Sequence, residues 1–337
     1  KKHMNLNQPM NANRPLSGGA SLVISACFND IDRMGEALKG WEVNCTQLTR
    51  GPFQGALTFL EQSDLQIYQL RLQHAVQVMG AKPTNSLVFT LPLDSFRQSA
   101  YVYDIALATD CIFGFDAHRA VNHITDSQGA NLGCITVSKA LFQTYAAQSG
   151  RDDLDESFMK RNVVVPEGTR FAPLVCYLRQ LFCLSQQQPD LVRASLESQM
   201  IEQDLLPLLL NALKSVDDEV SIRPYARADI VKVAQEFMEM NLQRPLTLAD
   251  ICQAVYASKR SLHYAFQDMF GMGPMAFLKV LRLHAIRRIL LGAEPKSLQV
   301  KEVANAWGFC SMGHFSRDYK QLFGESPSQT LGKSVML

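Results

Sequence analysis

A chain of 337 residues, 47% of them hydrophobic, has material for two or three domains with sizeable cores. Its eight cysteines show no CxxC pair and no Cys/His cluster at zinc spacing, so nothing marks a metal finger, and buried, reduced thiols are expected. No run of about 18 uncharged apolar residues and no signal peptide occurs, which points to a cytoplasmic protein without a membrane partner.

Residues 1–20 are polar, with Asn, Gln and Pro, and read as a flexible arm. A short helix is predicted over 28–38, capped by Asn29 or Asp30. From Trp41 to about Val165, alternation predicts short strands at 43–48, 53–60, 65–72, 75–79, 86–91 and 112–115. Gly51-Pro52, Ser63-Asp64, Gly80 and Lys82-Pro83 punctuate them. Such strands suggest a barrel or sandwich, followed by a helix over 137–149. Gly129-Ala130-Asn131-Leu132-Gly133 lacks the spacing of a phosphate-binding loop, and no nucleophile constellation or dinucleotide fingerprint is present.

Residues 170–215 switch to the helical period. Leu174, Val175, Leu178, Leu181 and Phe182 form one stripe, and Leu196, Met200, Ile201, Leu205, Leu208, Leu209 and Leu213 form a second that Pro207 kinks or restarts. These stripes need a partner surface, either the strand domain or a second copy of the chain. Residues 215–221 are polar and acidic, a natural linker, and a helix over 226–241 opens the last part. The net charge of +1 divides unevenly there: residues 222–337 carry 15 Lys+Arg against 9 Asp+Glu, and residues 1–221 carry 18 against 23. A basic C-terminal part suits a polyanionic partner.

That part contains a repeat. Leu248, Ile251, Ala254 and Val255 predict a short helix, Tyr256-Ala257-Ser258 a turn, and Leu262, Phe266 and Phe270 the apolar stripe of a second helix closed by Gly271 and Pro274. Downstream, Val303, Ala306 and Trp307 give a short helix, Gly308-Phe309 a break, and Phe315, Tyr319 and Phe323 a stripe capped by Ser311 and closed by Gly324 and Pro327. Each unit is a helix-turn-helix, and 275–291 is long enough for a rigid connecting helix.

Pro245-Leu246-Thr247-Leu248-Ala249-Asp250-Ile251, Ser258-Lys259-Arg260-Ser261-Leu262, Leu281-Arg282-Leu283 with Ala285, and the run from Gly308 to Pro327 resemble the C-terminal DNA-binding domain of the AraC/XylS family of transcriptional regulators, over roughly 225–332. The resemblance implies an α+β multidomain chain: arm 1–20, cupin-like β-barrel sensor 21–168, helical dimerisation and linker segment 169–214, and an all-α double helix-turn-helix domain 222–332. It implies a sequence-specific regulator, more an activator than a repressor, that binds double-stranded DNA and RNA polymerase, forms a homodimer and answers a small-molecule effector. No cofactor and no enzymatic activity are implied.

On the first recognition helix, Ser258, Lys259, Arg260, Ser261, His263, Tyr264 and Gln267 lie off the apolar stripe, and Arg260, His263 and Tyr264 match family positions that face the major groove. On the second, Ser311, Met312, Gly313, Ser316, Arg317 and Lys320 are the counterparts. Gly313 has no side chain and Met312 offers only apolar contact, so the first unit is expected to carry more sequence discrimination. Lys279, Arg282, Arg287 and Arg288 are further candidate phosphate contacts or structural ion pairs, Arg282 with Asp250 or Glu302. Trp41, Phe53, Phe59, Tyr68, Phe89 and Phe113 are candidates for an apolar effector pocket or plain core. His74, His118 and His123 lack a metal-site arrangement. Two rival readings stand: an N-terminal domain that binds only protein or itself, or senses redox through a cysteine, and an enzymatic barrel with a DNA-binding tail in which Cys45 is the candidate thiol.

Overall fold

The computed structural model describes residues 21–96, 100–102, 105–107, 110–214, 227–294 and 298–333. The expected arm over 1–20 and linker over 215–221 lie outside the described residues. The described chain forms two compact units, 21–45 with 54–214 and 46–53 with 227–333.

The first unit begins with β1 (Leu22–Phe28), α1 (Ile31–Glu36), β2 (Glu42–Gln47), β3 (Gly55–Gln62), β4 (Leu65–Leu72), β5 (Val76–Ala81) and β6 (Ser86–Pro92). The short strands β7 (Tyr101–Val102), β8 (Ile105–Ala106), β9 (Ile112–Phe113) and β10 (Val121–Ile124) follow, then β11 (Ala130–Ser138). After α2 (Lys139–Gln148), α3 (Glu156–Arg161) and β12 (Val163–Val164) come α4 (Gly168–Gln187), α5 (Pro189–Glu197) and α6 (Met200–Ala212). Asp30 is the residue that caps α1, accepting from the Arg33 N–H at 3.0 Å.

The strands make two sheets rather than one closed barrel, one ordered β1-β3-β4-β11-β6-β9-β12 and the other β2-β5-β10-β7-β8. The pairs β1–β3, β3–β4, β4–β11 and β11–β6 run antiparallel. Side chains alternate across a strand, and the larger sheet uses both faces. Tyr68, Leu70 and Leu72 of β4, Val88 and Thr90 of β6, and Leu132 and Cys134 of β11 share one face, which turns to residues of the smaller sheet. Leu65 and Ile67, Leu87, Phe89 and Leu91, and Ile135 and Val137 take the other and join the helical core. The central strand β11, nine residues long, and the edge strand β1 are not among the predicted strands. A strand buried on both faces shows no alternation, and Gly129 to Gly133 look like a turn.

The stripe Leu174, Val175, Leu178, Leu181 and Phe182 lies in the same core as Phe89 and Ile135, so the covering surface for the stripe is this chain's own sheet. The second stripe is two helices: the chain breaks at Ser198-Gln199, where Gln199 adopts φ +60°, and α6 continues through Pro207. Pro207 therefore does not restart the helix as expected; it stands exposed on the outer side of a helix held by Leu205, Leu206, Leu209 and Leu210. Helix α2 starts two residues later than predicted because Val137 still belongs to β11.

The second unit is α7 (Ala228–Met240), α8 (Leu248–Ala254), α9 (Lys259–Phe270), α10 (Pro274–Gly292), α11 (Val300–Ala306), α12 (Met312–Phe323) and α13 (Pro327–Lys333). Thr247 and Asp250 close a capping box on α8. Residues 46–53 fold with this unit: the Gln47 amide donates to the Leu322 carbonyl at 3.1 Å, and the Gly51 N–H donates to the Gln321 carbonyl at 2.9 Å.

Both helix-turn-helix turns need a left-handed residue just past their first helix. Gly308 fills the position in the second turn at φ +82°, and Tyr256 fills it in the first at φ +50°, with its side chain 97% exposed. A non-glycine residue there costs on the order of 1 kcal/mol, so Tyr256→Gly is expected to raise stability by about 0.5–1 kcal/mol. Gly308→Ala is expected to lower it, because the new Cβ would meet Arg282 Nη1 at 3.1 Å as well as the backbone strain. Urea denaturation midpoints of the two variants should move in opposite directions.

Candidate nucleic-acid interface and sensor cavity

The two recognition helices are held by one rule applied twice. On α9, Leu262, Phe266 and Phe270 are buried, with Phe266 centred 5.4 Å from both Phe270 and Phe277 of α10. On α12, Phe315, Tyr319 and Phe323 are buried against Leu283, Ile286 and Leu290 of the same α10. One connecting helix thus supplies part of each core and fixes both units.

What these cores leave outside is polar. Ser258 caps α9 by accepting from the Ser261 N–H at 3.1 Å, and Gly271 ends the helix at φ +67°. Lys259, Arg260, His263, Tyr264 and Gln267 are exposed and Ser261 is half-buried. The guanidinium groups of Arg227 and Arg260 both lie over the Tyr264 ring, at 5.6 and 5.5 Å, which limits the rotamers of a side chain that would otherwise sweep freely. Arg227 also reaches Asp268 at 3.3 Å.

The α12 face is less equipped. Arg317 is exposed, its Nε 3.9 Å from the neighbouring Asp318, and Ser311, Gly313 and Lys320 are exposed. Ser316 is half-buried. Met312 packs against the second core instead of standing out from the helix. Ser311 occupies the N-cap position, but its side chain makes no cap hydrogen bond. His314, not singled out in the sequence, is exposed in the first turn beside Gly313, one residue off the apolar stripe.

The remaining cations divide. Arg282 donates to the carbonyls of Leu242 (2.8 Å) and Arg244 (2.5 Å), not to Asp250 or Glu302, and so ties α10 to the α7–α8 connection. Arg287 is buried, 3.3 Å from Glu325 and over the Phe323 ring. Lys279 pairs with Asp318 at 2.9 Å. Arg282 and Arg287 are therefore structural, and Lys279 is half committed.

In the first unit a cavity of about 70 Å³ lies between the two sheets. Trp41, Tyr68 and Phe113 line it. Phe53, Phe59 and Phe89 do not: Phe53 folds with the second unit, Phe59 stacks behind Tyr68 at 4.8 Å, and Phe89 points to the helical layer, stacked on Phe115 and Phe142. Among the polar residues of the lining that sequence reasoning missed, with Thr90, Asn122 and Thr125, are Lys82 and His123. Burial lowers the Lys82 ammonium to about 8 and holds the His123 imidazole down to about 4. A histidine whose folded pKa is depressed binds fewer protons than the unfolded chain between these limits. Its stability contribution is therefore intact above about 6.5 and drains away as pH falls to about 4. Thermal melts across pH 7 to 4 should show this decline, and His123→Phe should flatten it.

The cysteines are not uniformly buried. Cys45, Cys111 and Cys134 are, whereas Cys27, Cys176, Cys183 and Cys310 are exposed. Burial pushes Cys111 up to about 12 and Cys134 to about 11, so neither is an activated thiol. Among the described residues no group of three or more His, Cys, Asp or Glu could hold a metal ion, and no helix is long and apolar enough to cross a membrane.

A family model described as a helix-turn-helix domain matches residues 251–333. Over 102 residues the chain is 44% identical to the probable thc operon regulatory protein of Rhodococcus erythropolis, a match covering 30% of this chain and 31% of that relative. It is 32% identical over 101 residues to the XylDLEGF operon transcriptional activator 2 of Pseudomonas putida, covering 30% of this chain and 64% of that relative. Among solved structures, a probable AraC family transcriptional regulator from Rhodopseudomonas palustris matches at 36% identity, over 31% of this chain and 96% of that chain, with a TM-score of 0.30. The chain thus spans between about a third and two thirds of the length of these curated relatives.

Proposed function

Because this chain belongs to the AraC family of transcriptional regulators, we propose that it is a sequence-specific DNA-binding activator whose α9 and α12 enter successive major grooves of one duplex. The observation that carries this is the repeat itself: two recognition helices seated on one α10, each with its aromatic stripe inward and its Arg, Lys and hydroxyl groups outward. Half-sites one helical turn apart, about 34 Å, suit two such units. Arg260, His263 and Tyr264 read bases, while Lys259, Arg317 and Lys320 hold phosphates.

The first unit, a cupin-like two-sheet domain, is the sensor in this reading, and its ligand biases the active arrangement because it binds two states unequally. The chain works as a homodimer through 169–214. Supporting this is the outer side of α4, where Cys176, Cys183 and Leu184 stay exposed although the inner stripe is covered. RNA polymerase is the downstream partner, and the protein acts in the cytoplasm.

Fluorescence anisotropy with the full chain and a duplex library tests the core of the reading. Binding should fall steeply with salt, log affinity dropping by about 0.9 per phosphate neutralised for each tenfold rise in salt. No salt-sensitive binding to any duplex would sink it. Sedimentation equilibrium should return a dimer, and Cys176→Glu with Leu184→Glu should return a monomer.

A further inference from the structure

The cavity of the first unit carries an assignment of ligand class. Its wall is apolar: Met34, Leu38, Leu70, Val78, Val88 and Leu132 contribute to it. Into this wall the fold places one cation. Lys82, half-buried, spends two of its three donors on the carbonyls of Gly114 (2.7 Å) and Asp116 (2.6 Å). Among the described residues no carboxylate oxygen lies within 4.0 Å of its Nζ. The Asp116 carboxylate is engaged elsewhere, accepting from the His118 N–H at 3.0 Å and facing Arg119 at 3.9 Å. Beside it, among the polar lining residues Thr90, Asn122 and Thr125, stands His123. It is 7% exposed, it lines the same cavity, and its Nε2 is buried with no hydrogen-bond partner. A buried, unpaired nitrogen and an ammonium that faces only the shared Asp116 carboxylate, with one donor to spare, are both costly alone. Together, in one otherwise greasy chamber, they describe the complement of a ligand.

We propose that this cavity binds a compact, largely apolar monocarboxylate, its carboxylate on Lys82 Nζ and, where the body carries one, a hydroxyl or other polar substituent meeting His123 Nε2. A water needs roughly 10–15 Å³ of such space, so about 70 Å³ has room for a single substituted ring or a short branched chain rather than a long one. The carboxylate supplies a closer counter-charge than the shared Asp116 and the third acceptor for Lys82, while the body replaces water against the apolar wall. This rests on the reading of the first unit as a sensor. It goes beyond that reading by stating the charge, size and anchor of what is sensed.

Calorimetric titration of the full chain tests it, with benzoate, phenylacetate and cyclohexanecarboxylate, each beside its primary amide. At least one acid is expected to bind ten-fold or more tighter than its amide. Lys82→Met should remove that preference, weakening the acid at least ten-fold and the amide by less than three-fold, and Lys82→Arg should keep part of it. Because Lys82→Met strips the Gly114 and Asp116 carbonyls of a donor, circular dichroism checks that the variants fold. In the unaltered protein, mass-mapped acylation of Lys82 should also slow when the acid is added. Amides that bind as tightly as acids, an acid preference that survives Lys82→Met, or no acid binding at millimolar concentration each overturn the assignment. An acid that binds through Lys82 yet leaves DNA affinity and transcription unchanged upholds the cavity assignment and separately fails the sensor reading.

Discussion

Arg260→Ala is expected to weaken operator binding by roughly ten- to a hundred-fold, about 1–3 kcal/mol, and to relax base preference at one position. The expectation follows from placement. Arg260 sits in the first turn of α9, exposed, with its guanidinium held over the Tyr264 ring at 5.5 Å. A pre-ordered guanidinium loses less rotamer freedom when it forks onto guanine O6 and N7 than a free one would. The matching position on α12 is Gly313, which has no side chain to read with, and Met312 beside it is drawn into the core. Arg317→Ala should therefore weaken binding by a similar factor on every sequence and lower the salt slope by about one, the signature of a phosphate contact. Binding of the two variants to a randomised duplex library, followed by sequencing, separates the cases. If Arg317→Ala relaxed base preference more than Arg260→Ala, the ordering of the two units would be reversed.

The C-terminal unit is open to reading from residues alone because its recognition helices each carry their own apolar face and stop, although α13 goes unread behind Pro327. The Leu262/Phe266/Phe270 stripe and its closing Gly271 are local and stand where the pattern puts them, while Ser258, read as part of the turn, caps α9 and Ser311, read as a cap, makes no cap hydrogen bond. The strand unit was harder because its meaning is in pairing. Whether Tyr68 lines a cavity or Ile67 meets a helix depends on the register of β4 with β3 and β11, in which Tyr68 pairs with Phe59 and Cys134. An aromatic residue carries no mark of the face it will take, so Phe89 and Phe113 looked alike though one is core and one is lining. Lys82 passed as turn punctuation beside Pro83, and only the fold turns its ammonium inward. The helical segment erred in the same way. Pro207 looked like a break, yet its neighbours Leu205, Leu206, Leu209 and Leu210 bury enough surface to hold α6 across it.

The larger energetic effect is expected from Phe266→Ala. Phe266 is fully buried at the meeting of α9 and α10, with rings on two sides, and its removal leaves a cavity that Phe270 and Phe277, already 4.2 Å apart, have little room to fill. A loss of about 3–5 kcal/mol follows. The consequence should be uneven. The second core, Leu283, Ile286, Leu290, Phe315, Tyr319 and Phe323, draws on the C-terminal half of α10 and does not include Phe266. Amide exchange should therefore rise over α8, α9 and the first turns of α10, while α12 and α13 keep their protection. DNA binding would fall to what one unit supplies. Uniform loss of protection across 227–333 would mean that the two helix-turn-helix units fold as one cooperative block, and that α10 transmits disorder as readily as it transmits position.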